Sequence, residues 1–254
     1  LVQLILGVIS APNADVVIPS PSFSLYGMYT DVFSGNVISV PLTADYRFDV
    51  PAIQKAIQGE NVRLAILCSP NNPTGCSISN DELDTLLSNT NALVLVDEAY
   101  GEFYDQTAID LLPKHPNLII LKTFSKAFGA AGVRMGYLIA HPSVRNEIIK
   151  GKIPFDINVF SHTAALAILK QKDLINERIG FICAERDRVY QALIQMEGVT
   201  AYPSDANLLL IEVNEPNAVF NGLIEQGVLI RNVTSYPMLE KALRVSIGTK
   251  EEND

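Results

Sequence analysis

The stretch LVLVDEAY, residues 93–100, decides the fold. Its first four residues are apolar without interruption, and the run stops on an acid. A strand with one wet face would alternate apolar and polar residues. A continuous run marks a strand covered on both faces, as in parallel sheets flanked by helices. The same texture recurs at 15–18, 37–40, 63–68, 118–121 and 137–140. Between these runs lie helix-like stretches at 50–58 and 79–89. The second opens on Ser79-Asn80-Asp81-Glu82, a helix N-cap followed by acids that suit the first turn. The alternation predicts an α/β fold, a mainly parallel sheet flanked by helices. After residue 155 the texture changes. Longer helices are expected at 159–170 and 174–196, strands at 207–213, 228–231 and 243–247, and a helix at 218–226. That is a smaller α+β unit. Residues 1–154 are expected to form a large domain, and 155–254 its end plus the small α+β C-terminal domain.

Bulk properties narrow the function. A chain of 254 residues holds one large or two smaller domains with a substantial core. A net charge of -9 argues against a nucleic-acid footprint. Cys68, Cys76 and Cys183 form no CxxC pair and are odd in number, which fits a reducing compartment without a disulfide framework. His115, His141 and His162 lack ligand spacing, so no metal site is expected. No apolar run reaches the about 18 residues of a membrane span, so no membrane role is expected. The opening LVQLILGVIS has no basic leader and reads as a core helix entered halfway. The chain starts without methionine and stops inside the helix-favouring TKEEND, so both ends are expected to be cut.

Ligands of open α/β sheets bind beyond the carboxyl ends of the strands. SPNNPTG (69–75) follows the run 63–68, DEAY (97–100) follows 93–96, and TFSKAFGAAGVRMGY (123–137) follows 118–121. Each has a bland reading. SPNNPTG is also an ordinary Pro/Asn/Gly turn. Asp97 is also a plain N-cap, and Tyr100 a core aromatic. Lys126 and Arg134, eight residues apart, are also two solvated loop cations. Taken together the clusters supply complementary chemistry, that of pyridoxal 5'-phosphate. This cofactor needs a lysine amine for covalent attachment and an acid for its ring nitrogen. Lys126 and Asp97 supply these. Asn72 and Tyr100 suit the ring oxygen, and Ser125 and Arg134 suit the phosphate, since a guanidinium binds two oxygens at once. Phe23, in PSFSLY, is a candidate to cover the ring face, with plain core packing as its alternative.

The order SPNNPTG, DEAY, TFSKAFGAAGVRMGY resembles fold-type I pyridoxal-phosphate aminotransferases, and among them the histidinol-phosphate aminotransferase family. The likeness runs from PSFSLY to LRVSIGTKEEND. It implies Lys126 as the covalent attachment point, Asp97 as partner of the ring nitrogen, Asn72 and Tyr100 at the ring oxygen, and Ser125 and Arg134 at the phosphate. Phe23 occupies the stacking position, where many relatives have tyrosine. The resemblance also implies Arg244 as the clamp on the substrate α-carboxylate and Arg231, thirteen residues earlier, as the contact to a distal phosphate. It places Asn207 near the site and makes the Asn72–Pro73 bond cis. The implied reaction is a two-stage amino transfer between histidinol phosphate and 2-oxoglutarate in a homodimer, with Lys126 moving the substrate proton. The cytoplasmic location expected for this chain comes from the same family resemblance. A phosphate loop and a tyrosine lent to the neighbouring subunit would lie before Leu1, and a last helix after Asp254. Aromatic aminotransferases and threonine-phosphate decarboxylases share most of these residues. A regulator's non-catalytic cofactor-binding module is the alternative of another class.

Overall fold

The structure is a computed structural model and describes residues 1–9 and 13–254. The chain begins with helix α1 (Val2–Ile9) and continues through β1 (Asp15–Ser20), α2 (Leu25–Val32), β2 (Asn36–Pro41), α3 (Val50–Ile57), β3 (Val62–Cys68), α4 (Asn80–Ser88), β4 (Leu93–Asp97), β5 (Leu118–Thr123) and β6 (Gly136–Ala140). These six strands form one sheet in the order β2-β1-β3-β4-β5-β6. All its pairings are parallel except the last, where β6 runs antiparallel to β5. The continuous apolar runs fit this position. Leu64, Ile66, Leu95 and Ile119 pack on one face with Ile5 and Leu6 of α1, while Ala65, Leu67, Val94, Val96 and Ile120 pack on the other. The opening segment is thus a core helix, as its composition predicts; Ser10, at its end, lies outside the described residues.

Helix ends follow local chemistry. Asp49 caps α3 by accepting from the Ala52 amide at 3.0 Å. Ser79 and Glu82 form a reciprocal capping box at the start of α4. Two helices were not foreseen, α2 and α5 (Pro142–Ile148).

The second half holds α6 (Val159–Leu169), α7 (Lys172–Leu193), β7 (Val199–Ala201), β8 (Leu208–Val213), α8 (Pro216–Glu225), β9 (Arg231–Asn232), β10 (Ala242–Ser246) and α9 (Lys250–Asn253). The four strands form a separate antiparallel sheet, β7-β8-β10-β9. The strand expected at 228–231 is corrected. Only Arg231–Asn232 pairs, because Val228 and Leu229 are exposed and no neighbouring face covers them. The short β7 was missed. Leu210, Val233, Leu239 and Ala242 of this half join the same apolar cluster as Val17, Val40 and Leu67, so the two sheets share a core. Tyr46, in the loop after β2, reaches across it, its Oη bonding to Glu212 and to the Met238 carbonyl.

Candidate active site

Strand order reverses between β1 and β3, since β2 lies to one side of β1 and all later strands of the sheet to the other. A crevice opens at such a switch point. The loops that leave β1 and β3 meet there. Ser22 Oγ donates to Asn71 Oδ1 at 2.8 Å, and Asn71 Nδ2 donates to the Pro21 carbonyl at 2.9 Å. Asn71 Nδ2 also lies 2.7 Å from Thr74 Oγ1, which braces the turn from within. Asn72–Pro73 is cis, as the resemblance implies; Ser20–Pro21 and Ser69–Pro70 are cis as well. Gly75 closes the loop at φ +81, where a Cβ would stand 2.2 Å from Ser204 Oγ, so only glycine fits. Its carbonyl accepts from the Asp205 amide at 2.9 Å, joining this loop to the second half of the chain.

Asp97 ends β4 and is 8% exposed. Its Oδ2 accepts from Tyr26 Oη at 2.8 Å and its Oδ1 from the Ala99 amide at 3.0 Å. Burial pushes its carboxyl above the usual carboxylate range, opposed by these two hydrogen bonds. Among the described side chains no cation forms an ion pair with it. A buried carboxylate with two neutral donors and no cation fits a ligand that brings its own positive charge.

Lys126 follows β5 one strand away. Its ammonium lies 4.9 Å from the centroid of the buried Tyr100 ring, a cation–π contact, and its side chain is open to solvent. Thr123 Oγ1 donates to Ser125 Oγ at 2.9 Å and accepts from the Ser125 amide at 3.1 Å, which fixes that hydroxyl. Arg134 is held at φ +55, a left-handed conformation that costs an ordinary residue about 1 kcal/mol or more. Its guanidinium donates to the Ala131 carbonyl of its own loop at 2.9 Å. Phe23 makes an edge contact with Tyr26, ring centroids 5.6 Å apart. It is therefore one side chain removed from Asp97.

The second half of the chain delivers arginines to this edge. Arg244, on β10, donates to Asn72 Oδ1 at 2.7 Å, leaving the Asn72 amide nitrogen to donate elsewhere. Its Nε is buried with no hydrogen-bond partner among the described residues. A buried donor left unmatched costs about 1–3 kcal/mol, so an anionic ligand group fits here. Arg231 on β9 pairs directly with Arg244. Paired residues of antiparallel strands share a face, and like charges there destabilise unless an anion separates them. Asn207 precedes β8 and its carbonyl accepts from the Ile247 amide at 2.9 Å. The chain thus brings together Asn72 with Arg244, Tyr100 with Lys126, and Arg231 with Arg244, whereas Arg134 and Asn207 bond only within their own surroundings. Sequence reasoning missed Tyr26, Thr123 and Glu98. Glu98, next to Asp97, is held by Lys122 at 2.8 Å.

The family description "Aminotransferase class I and II" matches this chain from residue 1 to residue 254. The chain belongs to the class I and II aminotransferases. A histidinol-phosphate aminotransferase of Chlorobaculum tepidum is 43% identical to it over 240 residues, 94% of this chain and 69% of that protein. Among solved structures, the histidinol-phosphate aminotransferase of Sinorhizobium meliloti in complex with pyridoxal-5'-phosphate superposes with a TM-score of 0.90 at 26% identity, covering 100% of this chain and 71% of that one. The L-threonine-O-3-phosphate decarboxylase of Porphyromonas gingivalis gives 0.85 at 22%, covering 99% and 76%, which shows the shared fold alone. As an aminotransferase, the chain carries its candidate groups at the ends of β1, β3, β4 and β5, with two arginines arriving from the second sheet. Among the described residues, no helix is long and apolar enough to cross a membrane.

Proposed function

We propose that this aminotransferase transfers the amino group of histidinol phosphate to 2-oxoglutarate, giving imidazole-acetol phosphate and glutamate, a step of histidine biosynthesis, with pyridoxal 5'-phosphate as cofactor. The observation that carries the reading is Asp97, a buried carboxylate with no ion pair among the described side chains, one strand from the open amine of Lys126. The 43% identity with the Chlorobaculum protein supports the substrate.

When bound, the cofactor supplies an electron sink for the substrate α-carbon. In this reading Asp97 holds a proton on the ring nitrogen. Asn72 and Tyr100 donate to the ring oxygen, Phe23 covers the ring face, and Ser125 and Arg134 hold the phosphate. Lys126 is the attachment point, and its Nζ moves the proton that leaves the substrate α-carbon. Arg244 binds the end of the substrate nearest the reacting carbon in amino and oxo acids, their α-carboxylate. Arg231 meets the distal phosphate, with Asn207 beside the site. Residues 1–154 form the cofactor-binding part and 155–254 its end together with the small α+β part.

The same proposal includes a cytoplasmic homodimer. Phe155 is fully exposed and Phe160 is 84% exposed, with Ile153 and Val159 beside them, an apolar face suited to a second copy. Sedimentation of a Phe155→Glu/Phe160→Glu variant as a monomer, against a dimeric parent, is the expected result.

The test of function is the visible spectrum of the protein with added pyridoxal phosphate. A near-visible band is expected, absent in Lys126→Ala and bleached by histidinol phosphate but not by phenylalanine or threonine phosphate. A band that ignores histidinol phosphate and responds to threonine phosphate would move the protein to the decarboxylase branch.

A further inference from the structure

Tyr26 lies behind Asp97 on α2 and is 1% exposed. Its hydroxyl reaches Asp97 Oδ2 from 71 residues away in sequence. The second carboxylate oxygen is held by the Ala99 amide. Each oxygen therefore has one protein donor, and rotation of the carboxylate breaks both bonds. Tyr26 is itself fixed. Its ring packs with Ile5, Leu6 and Ile66, Phe23 meets it edge-on, and its carbonyl accepts from Thr30 Oγ1 at 2.8 Å.

The titratable side chains around Asp97 come from three places. They are Tyr26 on α2, Cys68 on β3 and Glu98 next in the chain. Burial pushes the Cys68 thiol up to about 12, so it stays neutral. Burial and the Asp97 charge push the Tyr26 phenol well up, so it remains a hydroxyl donor. Glu98 is engaged by Lys122 at 2.8 Å. Tyr26 is the side-chain donor to Asp97, and it brings no charge.

We propose that Tyr26 is the positioning residue of Asp97, orienting the carboxylate and keeping it ionised in its buried place so that it can hold a proton on the nitrogen of the bound cofactor ring. A cationic neighbour would also keep Asp97 ionised, but it would compete with the ring nitrogen for the charge. A neutral hydroxyl stabilises the anion and leaves its charge for the ligand. The inference rests on the reading of Asp97 as the ring-nitrogen partner.

The test compares the full chain with Tyr26→Phe, and with Tyr29→Phe as a control on the same helix. Carbon-13 NMR of aspartate-labelled, cofactor-free protein follows the Asp97 carboxyl, identified by the signal lost in Asp97→Asn. In Tyr26→Phe the Asp97 midpoint is expected to rise by about one pH unit. Pyridoxal phosphate should bind about tenfold more weakly, which is the same free energy. Tyr29→Phe should leave both unchanged. A Tyr26→Phe protein that titrates like its parent overturns the inference. If that variant does not fold, 3-fluorotyrosine placed at position 26, a stronger donor of the same shape, decides instead. It should lower the Asp97 midpoint, and an unmoved midpoint overturns the inference. If Asp97→Asn binds the cofactor as well as the parent does, the reading of Asp97 falls and takes the inference with it. If Asp97→Asn loses the cofactor while Tyr26→Phe keeps its affinity, only the inference falls.

Discussion

Glu98 Oε2 stands 2.8 Å from Lys122 Nζ, and the two side chains are 4% and 9% exposed. This ion pair ties the turn after β4 to the end of β5. Glu98 also accepts from the Ala108 amide at 2.6 Å and from Thr107 Oγ1, and Glu102 approaches the same ammonium at 3.3 Å. The turn that aims Asp97 and Tyr100 is thus fastened on its far side. Lys122→Ala would leave two buried carboxylates without their cation. It is expected to destabilise the protein by about 3–5 kcal/mol in urea unfolding. Replacing both partners, as in Lys122→Met/Glu98→Gln, should cost less than the sum of the single changes. Burial opposes the Lys122 ammonium, but Glu98 and Glu102 outweigh it and hold its pKa above the ordinary value of 10.5. Its contribution is therefore complete below pH 10.5 and declines as pH rises through the higher folded value.

Gly75→Ala tests the loop that carries Asn72. Alanine must adopt φ +81 and place a methyl against Ser204. A loss of more than about 2 kcal/mol is expected in thermal unfolding. Ser204→Gly should recover the steric part and leave the conformational part.

Arg231 separates the substrate readings. With Arg231→Ala, kcat/KM for histidinol phosphate should fall about 100-fold, the value of a charge-assisted bond of about 2.7 kcal/mol. Turnover of unphosphorylated histidinol should change less than about threefold. Equal losses for both would remove Arg231 from the distal phosphate.

Acid stability should depend on Glu185 of α7. Its carboxylate accepts from Arg188 at 2.8 and 2.9 Å and from Asn253 of α9 at 2.9 Å. The Arg188 bonds, then that of Asn253, draw its pKa down to about 2. A depressed carboxyl stabilises the fold above its unfolded value near 4.5 and loses that contribution as pH falls towards 2. Glu185→Gln should therefore show a shallower decline in melting temperature between pH 4.5 and pH 2 than its parent.

What was legible in the sequence was whatever a continuous apolar run or a capping pattern announces. The strands of the first sheet and the capping box at Ser79 are examples, and so is the meeting of three polar clusters at one sheet edge. α2 was hidden because LYGMYTDV mixes aromatic and β-branched residues with a central glycine, all weak helix formers. Its packing on β1 and β2 overrides that preference, and with α2 the sequence concealed Tyr26. Glu98 was overlooked because adjacent residues leaving a strand point in opposite directions, a fact of the turn rather than of composition. The 228–231 run failed for the opposite reason. Its apolar residues are exposed, so apolarity there did not mark a buried strand.

The bond between Asn72 and Arg244 joins residues 172 positions apart. On a ribosome adding about 5–20 residues per second, Asn72 waits about 9–34 s before its arginine is made. In the proposed reading, the residues that would hold the cofactor are therefore made before Arg231 and Arg244, which would hold the substrate. On that reading substrate recognition is a late event in the life of each newly made chain.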